Sequence, residues 1–369
     1  MRILCTVTTD LTYDQRMQRI CTALAGAGHE VTLIGRQLPH SIPLGEQPYR
    51  QRRLRCYYHR GALFYAEYNL RLLWLLLTTR YDAINAIDLD TLLPATVAGR
   101  LRGRAVVYDA HEYFTEVPEV HDRPRIKRVW EAIARFCVPR VKAAYTVGPA
   151  LAEIFERQYG VPFKVVRNVP FRRPLSEAAL HQPPVLLYQG ALNVGRGLPE
   201  LIDALPQLPG LQLWLAGEGD LSLPLRRQVA RLGVTRVRFL GFVQPADLPA
   251  LTAQATIGLN LLEHRGQSYF YSLANKFFDY AQAGLPSLNM AFPEYNRLVD
   301  DYETAVLLHD LSPSAIVNAV HRLLERDANG SWVPTAFYRR LQANCAQAAA
   351  VWHWGRERER LLEVYRELE

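Results

Sequence analysis

Cysteine is scarce in this chain: five in 369 residues, at Cys5, Cys21, Cys56, Cys137 and Cys345, odd in number, scattered, and with no C-x-x-C pair. That pattern argues against a disulfide framework and a structural zinc site, and it fits a reducing, cytosolic compartment. Long hydrophobic runs are also missing. The most apolar window, LRLLWLLLTTRYD, is bounded by Arg71 and Arg80 and is too short to span a bilayer. The N-terminal MRILCTVTTD turns polar after one short run, so no secretory signal is expected. Short repeats, low-complexity tracts and recognised nucleic-acid motifs are absent as well.

What is present is ordinary in amount and uneven in placement. Hydrophobic residues make up 49% and charged residues 21%, with a net charge of +7. Residues 1–175 carry a net charge of +10 and the remainder −3. The length suggests two domains, and a basic first half implies anionic partners such as phosphate-bearing substrates, nucleic acid or an acidic membrane face.

Periodicity predicts a βαβ opening. RILCTV (2–7) is a buried strand, Met17, Ile20, Cys21 and Leu24 mark an amphipathic helix, and VTLIG (31–35) is the next strand. Alternation continues through AINAID (83–88), AVVYDA (105–110), AAYTV (143–147) and KVVRNV (164–169), with helices between them. The segment 170–184 has four prolines and no apolar period, so the linker is placed there. A second series follows: VLLYQG (185–190), LQLWLAG (211–217), VRFLG (237–241), TIGLNLL (256–262) and LPSLNM (285–290), then closing helices near 312–326 and 336–366. Both series predict an α/β fold of two doubly wound, Rossmann-like parallel sheets, whose C-terminal strand ends would face a central cleft.

The sharpest constellation is YSLANKFFDYAQAGLP (271–286). It reads as a helix capped by Ser272, with Leu273, Phe277 and Ala281 facing the core and Gly284 and Pro286 ending it. Ser272, Asn275, Lys276 and Asp279 share another face at the positive helix end, which suits an anion beside sugar hydroxyls. The competing interpretation is a solvated face with a local Lys276–Asp279 pair. In YQGALNVGRGLPELIDAL (188–205), Gly190, Gly195 and Gly197 allow close backbone approach, and Arg196 stands at a helix entrance. Its spacing is not G-x-G-x-x-G and no Walker lysine follows, so neither NAD nor P-loop chemistry is indicated. Together the two elements favour a diphosphate. Gly217, Phe242 and Val243 follow strands where a nucleobase could pack.

In the first series, TTDLTYDQRM carries Asp10, Asp14 and Arg16 to a strand end, and YDAHEYF brings His111 and Glu112 to another, where His111 could act as an acid, a base or an orienting group. Asp88 and Asp90 are read as helix-capping. Basic runs at Arg50–Arg60 and Arg123–Arg128 are either solvated faces or docking sites for an anionic membrane or a lipid-phosphate acceptor.

These motifs, in this order, resemble the GT-B glycosyltransferases, specifically the retaining family four (glycosyl transferases group 1), over nearly the whole chain. YSLANKFFDYAQAGLP is similar to that family's S-L-P-N-K-x-x-E-Y-x-x-x-G-x-P donor segment, and QGALNVGRGLPELIDAL to its glycine loop. YDAHE, TVGPALAEIFERQYG, RNV and Asp14–Arg16 are similar to its first-domain signatures. The resemblance implies an acceptor domain over 1–172 and a donor domain over 183–349, with a closing helix of about 350–369 returning to the first. It implies sugar transfer from a nucleotide diphosphate-sugar with retained configuration, no cofactor and no obligatory metal, in a cytoplasmic or peripheral membrane enzyme making a surface glycan or glycolipid. Arg196, Lys276, Ser272, Asn275 and Gly190 would hold the diphosphate and Asp279 the ribose. Gly217, Phe242 and Val243 would lie near the base, and His111, Asp14 and Arg16 would serve catalysis. Two departures stand out: Tyr271 replaces the first acid of a Glu-x7-Glu pattern, and Ala191 replaces a basic residue after the first loop glycine. A sugar-nucleotide epimerase of similar architecture and a non-catalytic sugar-nucleotide-binding protein remain the alternatives.

Overall fold

The computed structural model describes residues 1–174 and 182–368, so part of the 170–184 linker assignment lies outside the described residues. The chain divides into two compact units. The first is Met1–Asn168 with Gly266–Ser268 and Gly355–Glu369, and the second is Val169–Arg265 with Tyr269–Trp354.

The first unit holds a seven-stranded sheet of β1 (Arg2–Thr6), β2 (Glu30–Gln37), β3 (Arg50–Arg55), β4 (Ala83–Ile87), β5 (Ala105–Ala110), β6 (Ala143–Thr146) and β7 (Phe163–Val165). Its spatial order is 3-2-1-4-5-6-7 and all its pairings are parallel. Strand β3 lies where the sequence shows only a basic run. RQRRLR buries Leu54 and pairs with β2 while exposed arginines line the sheet edge, which discourages further strand addition.

The second unit holds β8 (Val185–Gln189), β9 (Gln212–Ala216), β10 (Val237–Gly241), β11 (Ile257–Asn260), β12 (Ser287–Met290) and β13 (Ala305–Leu308), in the order 10-9-8-11-12-13, again parallel. Strand order reverses beside β1 in one sheet and beside β8 in the other. In open α/β sheets, ligands bind at the carboxyl ends of strands at such reversals.

Several elements went unread in the sequence: the helices Gly266–Phe270 and Pro293–Tyr302, strand β13, and the hairpin Leu324–Arg326 with Trp332–Pro334. The expected closing helix is two helices, Ala336–Ala349 and Trp354–Arg366. The second of these groups from Gly355 onward with the first unit, where buried Glu357 accepts the Arg167 amide at 2.9 Å.

Candidate donor site at the end of strand β8

The helix Asn275–Gln282 is set on its sheet by Tyr280, whose hydroxyl donates to the Leu187 and Leu259 carbonyls at 3.1 Å each. The Tyr280 ring lies so close to Gly258 that a Cβ there would fall 2.4 Å from it. With Val185, Leu187, Trp214, Ala216 and Leu285, Tyr280 forms one apolar cluster. On the same helix, Phe277 packs on Tyr295 and Trp352 with ring centroids 5.4 and 5.5 Å apart. This anchoring fixes where the polar face points.

That face differs from the expected one at its start. Ser272 does not cap the helix: its hydroxyl donates to the Tyr269 carbonyl at 2.8 Å, and Ala274 takes the capping position. The Ala274 amide donates to the Tyr295 hydroxyl at 3.0 Å, whereas the Asn275 and Lys276 amides have no partner within the helix. Asn275 is exposed and Lys276 half-buried. The Lys276 ammonium lies 4.0 Å from the centroid of the Tyr188 ring, a cation–π contact of order 1 kcal/mol. A Cβ on Gly190, whose φ is 137°, would fall 3.1 Å from Lys276 Nζ, so glycine at the end of β8 is what lets the lysine reach the loop.

Arg196 comes to the same place. Its guanidinium lies 4.8 Å from the Tyr269 ring centroid and its Nε has no hydrogen-bond partner. Burial pushes the Lys276 pKa well below the ordinary lysine value, Arg196 pushes it further in that direction, and Asp279 opposes both. Burial also raises Tyr188 to about 12, so its phenol stays neutral under the ammonium while its hydroxyl donates to the Ala191 carbonyl at 2.8 Å. The arrangement is two cations, each resting on an aromatic ring, at the glycine-containing loop that follows β8. Mutual repulsion raises their energy, and a dianion between them would relieve it.

Residues 183–326 match the family described as Glycosyl transferases group 1, and residues 15–170 match Glycosyltransferase Family 4. The chain belongs to the GT-B glycosyltransferases of group 1. Glycogen synthase of Mycobacterium tuberculosis is 27% identical over 225 residues, which cover 59% of this chain and 49% of that protein. The match therefore spans about half the length of that relative. Among solved structures, sucrose-phosphate synthase from Thermosynechococcus elongatus superposes with a TM-score of 0.78 at 16% identity, covering 100% of this chain and 99% of the other. Anabaena HepE in complex with UDP and glucose gives 0.72 at 19%, covering 99% of each chain. Both likenesses concern the fold.

The other expected site residues of this group 1 chain vary in fate. Asp279 is half-buried; its Oδ2 accepts from Gln189 Nε2 at 3.2 Å, and Gln189 Oε1 accepts from Thr252 Oγ1 at 2.9 Å. Asp279 also lines a cavity of 210 Å³ with Arg173, Thr252 and Gln282. Gly217 is required by packing: a Cβ there would lie 1.9 Å from the Gly190 carbonyl oxygen. Phe242 is exposed, and Val243 packs against the Tyr280 cluster, so its side chain serves the core.

In the first unit, Asp14 is the N-cap of the helix Gln15–Gly26, accepting from the Met17 amide at 3.0 Å and from Thr9 Oγ1 at 2.9 Å. Arg16 is a correction: only 6% exposed, it donates to both Asp109 oxygens, at 3.0 and 2.6 Å, instead of standing free at the strand end. Asp88 sits at a helix start without capping it, and Asp90 accepts from Thr8 Oγ1 at 2.6 Å. His111 is partly exposed, with Nδ1 3.1 Å from Asp88 Oδ2. Tyr188, Tyr269, Tyr295 and Gln189, which support the candidate site, carry no sequence signal of their own, because a tyrosine under an ammonium looks like any core tyrosine until the loops are in place.

Proposed function

We propose that the chain transfers a sugar from a nucleotide diphosphate-sugar to a glycan, lipid-linked or small-molecule acceptor, with retention of anomeric configuration and with no metal or cofactor needed. The observation that carries this reading is the pair of cations Lys276 and Arg196, each on an aromatic ring and close enough to repel one another, with Lys276 beside Gly190. Family membership and a similar fold in a protein solved with UDP and glucose support it further.

In this reading Lys276, Arg196 and the free amides at Asn275 and Lys276 hold the diphosphate, with Ser272 and Asn275 bordering it. Asp279, steadied by Gln189, accepts from the ribose hydroxyls. Charge builds on the departing diphosphate as the glycosidic bond breaks, so cations already in place lower the barrier without reorganising. His111, in the first unit, is the proposed acid, base or orienting group. Attack from the face the diphosphate leaves accounts for retention, with a phosphate oxygen taking the acceptor's proton. The test is incubation with labelled UDP-glucose and other common sugar nucleotides, with and without glycan acceptors, with product configuration read by NMR and EDTA added in a parallel arm. Transfer in wild type and its loss in Lys276→Ala support the proposal. An epimer formed without acceptor would instead indicate an epimerase, and binding without turnover would indicate a non-catalytic binding protein.

We also propose peripheral docking to an anionic membrane. Among the described residues no helix is long and apolar enough to cross a bilayer. On the helix Gly61–Thr78, however, Leu63, Leu70, Trp74 and Leu77 are exposed along one stripe, with Trp74 71% accessible. The neighbouring helix Pro124–Cys137, joined to it through a Tyr65–Trp130 ring contact, exposes Ile126, Val129 and Phe136 beside Arg125 and Arg128. Exposed apolar residues beside cations suit an anionic interface. Arg53 drops out of the basic run expected to dock, since it is bound to Asp10 and Thr12, but Arg50, Arg52 and Arg55 remain exposed. Changing those three to Gln together with Trp74→Ser should abolish flotation with phosphatidylserine vesicles; retained flotation would reject docking.

A further inference from the structure

Strand β4 ends at Ile87, and the next residue, Asp88, has φ 56° and ψ 172°. That combination is essentially reserved for glycine, and holding another residue in it costs roughly 1–3 kcal/mol. Helix capping does not explain the aspartate, because its side chain makes no bond to the helix it precedes. Pairing with the buried arginine does not explain it either, since Arg16 is engaged by Asp109. Asp88 is 8% exposed and its Oδ1 has no hydrogen-bond partner. What the carboxyl does face is His111. Strands β4 and β5 pair in register at Ile87 and Asp109, so the residues just past them meet, and Oδ2 lies 3.1 Å from His111 Nδ1.

We propose that Asp88 is a positioning residue: its strained backbone aims the carboxyl at His111 Nδ1, so that the imidazole enters sugar transfer in one orientation with Nε2 as its working nitrogen. This rests on the glycosyl-transfer reading above. Glycine at position 88 would relieve the backbone, and only the carboxyl gives a reason to keep aspartate there. Burial, with Glu112, Asp90 and Asp109 close by, raises the Asp88 pKa well above the carboxylate range against the opposing pull of Arg16. The carboxyl occupies the Nδ1 side of the ring, which leaves Nε2 as the nitrogen open to substrate. The contact is within ion-pair distance but out of line for a hydrogen bond, and such bonds in unliganded sites tighten when substrate arrives.

The experiment compares wild type with Asp88→Gly and Asp88→Asn. Asp88→Gly should raise Tm by about 2–5 °C as the strain is released. It should lower kcat about 100-fold while the Kd for UDP-glucose stays unchanged. Asp88→Asn keeps an oxygen that can face Nδ1 and should restore most of kcat. Selective labelling of the His111 Cε1–H group should show a rigid ring in wild type and a mobile one in Asp88→Gly, whether or not any sugar is transferred. Full kcat in Asp88→Gly, or an equally rigid His111 ring, overturns the positioning role, and an unchanged or lower Tm overturns the strain premise. Absence of transfer in wild type with the ring and Tm behaving as described overturns the glycosyl-transfer reading alone.

Discussion

At the end of β8, Lys276 and Arg196 rest on the rings of Tyr188 and Tyr269. At the ends of β1, β4 and β5, Arg16 is bound to Asp109, Asp14 caps a helix, and Asp10 is bound to Arg53. The two sheets share a strand order yet treat charge in opposite ways. One keeps cations short of carboxylates, which leaves them energetically ready for an anion. The other consumes its cations internally and leaves a cluster of carboxyls whose protonation is pushed up by burial. Equal topology therefore says where a ligand can sit, and local charge balance says which ligand.

The comparison breaks most visibly at Arg16. Arg16→Ala strands Asp109 in the core and should cost about 3–5 kcal/mol in denaturant unfolding, whereas the double change Arg16→Met with Asp109→Leu should cost far less. A mild effect for the single variant would mean the pair is not buried in solution. At the other sheet, Lys276→Ala should leave stability unchanged or higher, because it removes a half-buried charge opposed by Arg196. It should weaken UDP-glucose binding by about 10–100-fold, the loss of one charge-assisted contact of roughly 1.5–3 kcal/mol.

The same contrast has a pH form. In the free protein Lys276 has a depressed pKa, and a diphosphate held as proposed would raise it, so above the free-state value binding would take up a proton. Calorimetry of UDP-glucose binding in buffers of different ionisation enthalpy should show net uptake in wild type and none in Lys276→Ala. In the first unit, burial lifts Asp90 to about 7. The native state then binds more protons than the unfolded state between about pH 4 and 7. This contribution to stability is complete below pH 4 and is lost as pH rises through 7, with a slope of up to about 1.4 kcal/mol per pH unit. Asp90→Asn should flatten the slope in urea titrations across that range. The smallest expected effect is at Asp279. Changing it to Asn should weaken UDP binding about fivefold and pyrophosphate binding hardly at all, and equal losses would remove it from the ribose.

Much of this was legible in the sequence, and the failures are instructive. The buried strands VLLYQ and AINAI announce themselves because parallel strands are apolar on both faces. Gly190, Arg196 and Lys276, which the proposed diphosphate site uses, stand out in the sequence because glycine spacing and a helix start are local facts. Ser272 misled, since a serine near a helix start satisfies the capping pattern while its hydroxyl bonds to Tyr269 instead. Strand β3 was hidden because an edge strand of arginines carries a strand's alternation only faintly.

The sequence by itself determined the two βα series, the basic bias of the first half, and the residues from which a diphosphate site could be assembled, because these depend on composition and near-neighbour spacing. Only the tertiary structure decided that Lys276 would lie on Tyr188 and Arg16 on Asp109, and that Asp88 would face His111 from a strained turn. Each of those pairings joins residues from different elements of the chain, and the energy of a charge depends on what surrounds it after folding.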